Sequence, residues 1–169
     1  METVEPRRSQ VPAGTEEHEL EPLSDVEEAF DEIEVDAPRV GIIMGSASDK
    51  PTMQGAGEEL RERGIRFEVR VISAHRNPDA VAEYARNDHM RRLRAIIDGA
   101  GMSAALPGVV AAHTDLPVIG VPIKAKNSVG DGLDALLSVV QMPPGVPVAC
   151  VAINGARNAA VLAARILAA

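Results

Sequence analysis

From residue 38 onward two rhythms alternate. Five short runs rich in apolar residues predict strands: 39–44 (RVGIIM), 65–71, 94–98, 117–122 and 147–153. Between and after them, apolar residues recur three or four positions apart. That spacing predicts helices over 50–63, 78–87, 103–114, 131–141 and 156–169. Met53, Ala56 and Leu60 set the helical period of the first, and Gly64 ends it as a C-cap. Pro78 opens the second, and Pro107-Gly108 interrupts the third. Strands that lack a polar face are covered on both sides, so this alternation predicts a parallel sheet between two helical layers. The expected fold class is α/β: a three-layer α-β-α, flavodoxin-like domain over 38–169, with a parallel sheet of about five strands. No internal repeat is visible.

Residues 1–37 follow a different grammar. They hold 13 acids against only Arg7 and Arg8, a net charge of −11. The remaining residues hold 12 acids and 15 bases, net +3, so the overall −8 averages two unlike parts. A like-charge block with few large apolar residues cannot bury enough surface to offset its ordering entropy, and it predicts a disordered acidic arm. Val26, Phe30 and Ile33 fall at i, i+4, i+7 behind Ser24, which leaves open a turn of helix or a docking role.

Composition narrows the function. The rest of the chain is mildly basic but carries no basic stripe, so no nucleic-acid partner is expected. Only Phe30, Phe67 and Tyr84 are aromatic and Trp is absent, which argues against base or flavin stacking. The single cysteine, Cys150, excludes a disulfide framework and a cysteine-rich metal site, and it reads as an inert thiol in an apolar strand. His18, His89 and His113 show no metal-ligand spacing, so no metal is expected. No apolar run is long enough to span a membrane, and the acidic start lacks the apolar core of a secretory signal. A cytoplasmic location is expected.

In such a sheet, ligands bind beyond the carboxyl ends of the strands. The first strand is followed by Gly45-Ser46-Ala47-Ser48-Asp49 and a helix. Hydroxyls and amides at a helix N-terminus suit an anion, although Ser48 or Asp49 as a plain N-cap explains the same residues. The second strand leads into Ser73-Ala74-His75-Arg76. Histidine suits proton transfer near neutrality, and arginine clamps phosphate with two parallel donors. The third is followed by Gly99-Ala100-Gly101-Met102-Ser103-Ala104. This fits a dinucleotide fingerprint, but that motif belongs to the first strand–helix unit. Here the glycines read as backbone that a small ligand can approach closely. After the fourth comes Lys124-Ala125-Lys126, a basic loop that either covers an anionic substrate or is simply solvated.

Taken together, MGSASD (44–49), SAHRNPD (73–79) and GAGMSAALPGVVA (99–111), followed by PVIGVP, GLDALLSVVQMPPGVPVA and NAAVLAARIL, resemble the class I N5-carboxyaminoimidazole ribonucleotide mutases of purine biosynthesis. The resemblance covers nearly all of 39–169 and none of 1–37. It implies a mutase that moves a carboxylate from an exocyclic nitrogen to ring carbon C4 of an aminoimidazole ribotide, with no cofactor. It places Ser46, Ser48, Asp49 and Arg76 on the ribose-phosphate, Ser73 and Ala74 around the base, and His75 as the catalytic acid and base. Gly99, Ala100 and Gly101 form the backbone wall around the carboxylate. A homo-octamer with sites at subunit contacts is also implied. Several features depart from the family pattern: the chain reads Gly101-Met102-Ser103-Ala104-Ala105 where Gly-Gly-Ala-Ala-His is usual, so that Ala105 stands in place of a second histidine; Asp98 replaces a small residue, Asn77 follows SAHR, and the 124–131 loop is about two residues longer. Rival readings are direct carboxylation of the unmodified ribotide by CO2, a carboxylase for another ribotide, and a non-catalytic nucleotide- or flavin-binding module. Arg76 and Leu106-Pro107-Gly108 favour the mutase over the direct carboxylase.

Overall fold

The computed structural model describes residues 37–169. The predicted acidic arm therefore lies outside the described residues, save its last, Ala37. Five parallel strands form one sheet: β1 (Val40–Met44), β2 (Phe67–Val71), β3 (Ala95–Gly101), β4 (Val118–Ile123) and β5 (Ala149–Cys150). Their order is β2-β1-β3-β4-β5, the flavodoxin-like order with β1 inside. The helices are α1 (Lys50–Glu62), α2 (Pro78–Arg86), α3 (Leu106–Ala111), α4 (Leu133–Val140) and α5 (Ala156–Leu167).

The strand residues explain the layers. β1, β3 and β4 are buried almost throughout and alternate their side chains between two cores. Ile42, Met44, Ile97, Ile119 and Val121 pack with Met53 and Leu60 of α1 and the alanines of α5. Ile43, Ile96 and Val118 pack with Val81 and Tyr84 of α2, Val110 of α3 and Val139 of α4. Ala156, Ala159, Ala160 and Ala163 let α5 lie close, and all four are buried. A polar clasp joins α1 to α5: Glu59 accepts from Arg63 at 2.7 Å and from Arg157 at 2.6 Å. These two arginines, Arg63 first, hold the Glu59 carboxyl below its ordinary pKa.

Several boundaries differ from the sequence expectation. β5 shrinks from seven residues to two. It is an edge strand, Pro147 has no N–H to give, and the pairing breaks into single bonds beyond Cys150: Val151 to Gly120 at 3.1 Å and Asn154 to Pro122 at 2.8 Å. Pro107 does not interrupt a longer helix; it sits in the first turn of α3, where its missing N–H would have had no partner in any case. A 3-10 turn, Val129–Gly132, precedes α4, and Gly130, Asp131 and Gly132 all have positive φ there.

β3 also runs three residues past its expected end. Asp98 is therefore mid-strand, paired in register with Ile43 and Gly120, and fully buried. No described residue donates a hydrogen bond to either carboxyl oxygen. Desolvation alone pushes this carboxyl well above its ordinary pKa. The glycine beside it leaves no spare room, since a Cβ at Gly120 would lie 2.4 Å from Val139 and 3.0 Å from Val148.

Candidate active site

Because β1 lies between β2 and β3, the loops leaving these three strands emerge side by side at the point where the strand order reverses. Two backbone bonds tie the exits together. Ile72 N–H donates to Met44 C=O at 2.9 Å, and Gly45 N–H donates to Gly99 C=O at 3.2 Å.

The 45–49 loop is held by a reciprocal cap. Ser46 is the N-cap of a 3-10 turn, Ala47–Asp49, that runs straight into α1. Ser48 N–H donates to Ser46 Oγ at 3.3 Å, and Ser46 N–H donates to Asp49 Oδ2 at 3.1 Å. Ser46 thus caps the 3-10 turn, while Asp49 stands at the N-cap position of α1 and spends its carboxylate on Ser46 N–H rather than on that helix. The amides of Ser46, Ser48 and Asp49 bond within the loop, while the two hydroxyls, linked at 2.9 Å, stay near the surface. Burial pushes the Asp49 carboxyl up, and the hydrogen bonds from Ser46 and Ser48 oppose that rise.

The loop after β2 is folded by its own serine. Asn77 N–H reaches Ser73 C=O at 2.8 Å and Arg76 N–H reaches Ser73 Oγ at 3.4 Å. Arg76 then crosses to the first loop, where its Nη2 donates to Gly45 C=O at 3.3 Å. His75 is exposed and bonds to no described residue, so both ring nitrogens are free to meet a ligand.

These loops line an open cleft of about 430 Å³. Ser46, Ser48, Asp49, Ser73, Ala74, His75, Arg76, Ala100 and Gly101 all reach it. Gly99 does not. It contributes through the bond that anchors Gly45, and a Cβ there would lie 2.4 Å from Met53 Sδ. Sequence reasoning did not assign Met102, Ser103, Ala105, Leu106 and Ala125, which also line the cleft. The usable signal for Met102 and Ser103 was their place directly after the third strand.

Other candidates fall elsewhere. Lys124 is paired with Asp131 at 2.6 Å, and of the basic loop only Ala125 reaches the cleft. His89 and His113 line a separate cavity of about 790 Å³ at the amino ends of the strands, with Asp88, Thr114 and Asp115. This larger cavity shares no residue with the strand-end loops. Cys150 is half-buried and burial pushes its thiol up. Among the described residues no group of three or more His, Cys, Asp or Glu side chains could hold a metal ion.

The family model described as AIR carboxylase matches residues 39–169, which contain every residue of the cleft. The chain belongs to the AIR carboxylase family. Curated relatives bear the name N5-carboxyaminoimidazole ribonucleotide mutase. One from Thermotoga maritima is 60% identical over 130 residues, covering 77% of this chain and 75% of the relative. One from Pyrococcus abyssi is 56% identical over 135 residues (80% and 76%), and one from Mycobacterium leprae is 59% identical over 130 residues (77% and 75%). Among solved structures, Treponema denticola PurE superposes with a TM-score of 0.69 at 33% identity, over 78% of this chain and 80% of that one. The α/β sheet and the family resemblance drawn from the strand-end loops both agree with these findings.

Proposed function

We propose that this protein is an N5-carboxyaminoimidazole ribonucleotide mutase, which moves a carboxylate from the exocyclic nitrogen of an aminoimidazole ribotide to ring carbon C4. One observation carries the reading. His75 and Arg76 converge with the Ser46–Asp49 loop in a single cleft, in a chain 56–60% identical to relatives of that name.

The proposed roles are those the family resemblance implies, and the shared cleft supports them. Arg76 and the hydroxyls of Ser46 and Ser48 hold the ribose-phosphate, and Asp49 keeps that loop in shape while facing the same space. Ser73 and Ala74 line the base. Breaking the N–CO2 bond puts an electron pair on nitrogen, and His75 supplies the proton that it takes up. C4 then attacks the CO2, and the now neutral His75 removes the C4 proton, restoring its starting form. The net change is an isomerisation with no proton gained or lost. Ala100 and Gly101 line the small-residue wall against which CO2 is held, with Gly99 anchoring it, and a water-poor wall is what keeps CO2 from leaving.

The deciding experiment supplies N5-carboxyaminoimidazole ribonucleotide in one arm, and aminoimidazole ribonucleotide with bicarbonate in the other. Formation of the C4-carboxylated product in the first arm, at rates far above the second, supports the mutase. Product from the second arm alone assigns a direct carboxylase instead, and turnover of neither overturns both readings.

We further propose a cytoplasmic homo-octamer with sites at subunit contacts. Leu133, Leu137 and Val140 form a stripe on α4, each 46–52% exposed, and Val69 and Val71 are exposed on the β2 edge. Among the described residues no helix is long and apolar enough to cross a membrane. Light scattering should give eight times the mass of one chain, and a monomer would contradict the assembly.

A further inference from the structure

The cleft wall has an unexpected member. Its apolar lining consists of Ala74, Ala100, Ala105 and Ala125, each with a one-carbon side chain, together with Leu106 and Met102. Leu106 is only 2% exposed and belongs to the core under α3. Met102 is 47% exposed. It is the one long apolar side chain on the cleft that is not committed to a core.

Its backbone makes its presence less expected still. β3 ends tightly against β4, since a Cβ on Gly101 would stand 3.0 Å from Ile123 C=O and 3.3 Å from Ala125 Cβ. The chain turns at once, with Met102 at φ +56°. Glycine adopts that conformation freely, whereas a side chain there is strained. An exposed methionine in a conformation that favours glycine, beside the reacting groups, gains nothing for the fold. A strained residue at a site points to a role in the site.

We propose that Met102 is the flap that retains CO2 between the two halves of the reaction. This rests on the mutase reading. Once the N–CO2 bond breaks, the cleft holds a ribotide that no longer bears the carboxylate, and free CO2, a small uncharged molecule with no charged partner. Capture by C4 competes with escape through the open mouth. A flexible thioether hinged on the turn after β3 covers that mouth with apolar surface and excludes water, which the surrounding alanines are too short to do.

The test measures leakage. Wild type, Met102→Gly, Met102→Ala and Met102→Leu receive N5-carboxyaminoimidazole ribonucleotide, and aminoimidazole ribonucleotide released is compared with C4-carboxylated product formed, after subtracting the enzyme-free rate. The glycine and alanine variants should leak about tenfold more ribotide per product than wild type, and Met102→Leu should stay near wild type. Melting temperatures guard against a structural explanation, because Met102→Gly relieves the turn and should melt no lower than wild type. Unchanged partitioning in the glycine and alanine variants overturns the proposal while leaving the mutase intact. No turnover by wild type overturns the mutase reading and this proposal with it.

Discussion

Replacing Asp98 with alanine should stabilise the protein, and by more as pH rises. The carboxyl is fully buried in mid-strand, and no described residue bonds either oxygen. The unfolded chain releases the proton near 3.8, while desolvation holds the folded group protonated well above that value. Between the two values folding takes up one proton. Stability is therefore greatest below 3.8 and falls as pH climbs toward the folded value, by about 1.4 kcal/mol, a factor of ten in the folding constant, for each pH unit. An unbonded buried polar group adds roughly 1–3 kcal/mol at any pH. The alanine variant sheds both penalties and opens a carboxyl-sized void worth about 1 kcal/mol. At pH 7.5 alanine should come out ahead by about 2 kcal/mol or more, near 5 °C in melting temperature for a domain of this size. Thermal melts of wild type, Asp98→Ala and Asp98→Asn between pH 5 and 8.5 would test this. The gap between alanine and wild type should widen with pH. The asparagine variant, which keeps the burial and loses the proton, should lack that extra slope. If wild type and Asp98→Ala shift in parallel across the range, or alanine melts lower throughout, the reasoning is wrong.

Three further outcomes are expected. His75→Asn should lower turnover by about 10²–10⁴-fold while leaving ribotide affinity, measured by calorimetry, within a few-fold of wild type; surviving activity would place the proton donor elsewhere. Gly120→Ala should destabilise by about 1–3 kcal/mol in urea melts, because the new methyl meets two stiff β-branched side chains, Val139 and Val148; an unchanged midpoint would show that the second core yields easily. Glu59→Gln should lower the melting temperature at pH 7 by loosening α1 from α5. Because Arg63 and Arg157 depress the Glu59 pKa, its contribution is present above its ordinary value of 4.5 and lost as pH falls below it, so the difference from wild type should shrink on acidification.

Much of this was legible from residue pattern alone. The apolar runs 39–44, 94–98 and 117–122 became the three central strands because nothing but a doubly covered sheet satisfies their lack of a polar face. The loops were legible too, since strand ends in this fold face the ligand, and all nine of the expected positions other than Gly99 needed no more than that rule plus a family resemblance to be grouped. What stayed hidden depends on partners far off in sequence. β5 faded because its only neighbour is β4 and because prolines remove donors from the pair. Asp98 read as a strand end, since only the register with Gly120 shows the strand continuing through it. The Ser46–Asp49 cap and the left-handed turn at Met102 are set by local dihedrals that several residue types satisfy equally well.

With β1 inside the sheet, the cleft has no partial form. Its walls come from strands on both sides of β1, and β3 reaches its place only after the chain has passed out over α1 to β2 and returned over α2. Parallel pairings of this span are slow to form, because loop closure precedes any reward from contact. On the proposed function, a ribotide would find its site only on chains whose β2, β1 and β3 have all paired, and it would draw the folding equilibrium toward them by mass action. The substrate would then act as a folding ligand, raising the apparent stability of a weakened variant in proportion to the logarithm of its concentration.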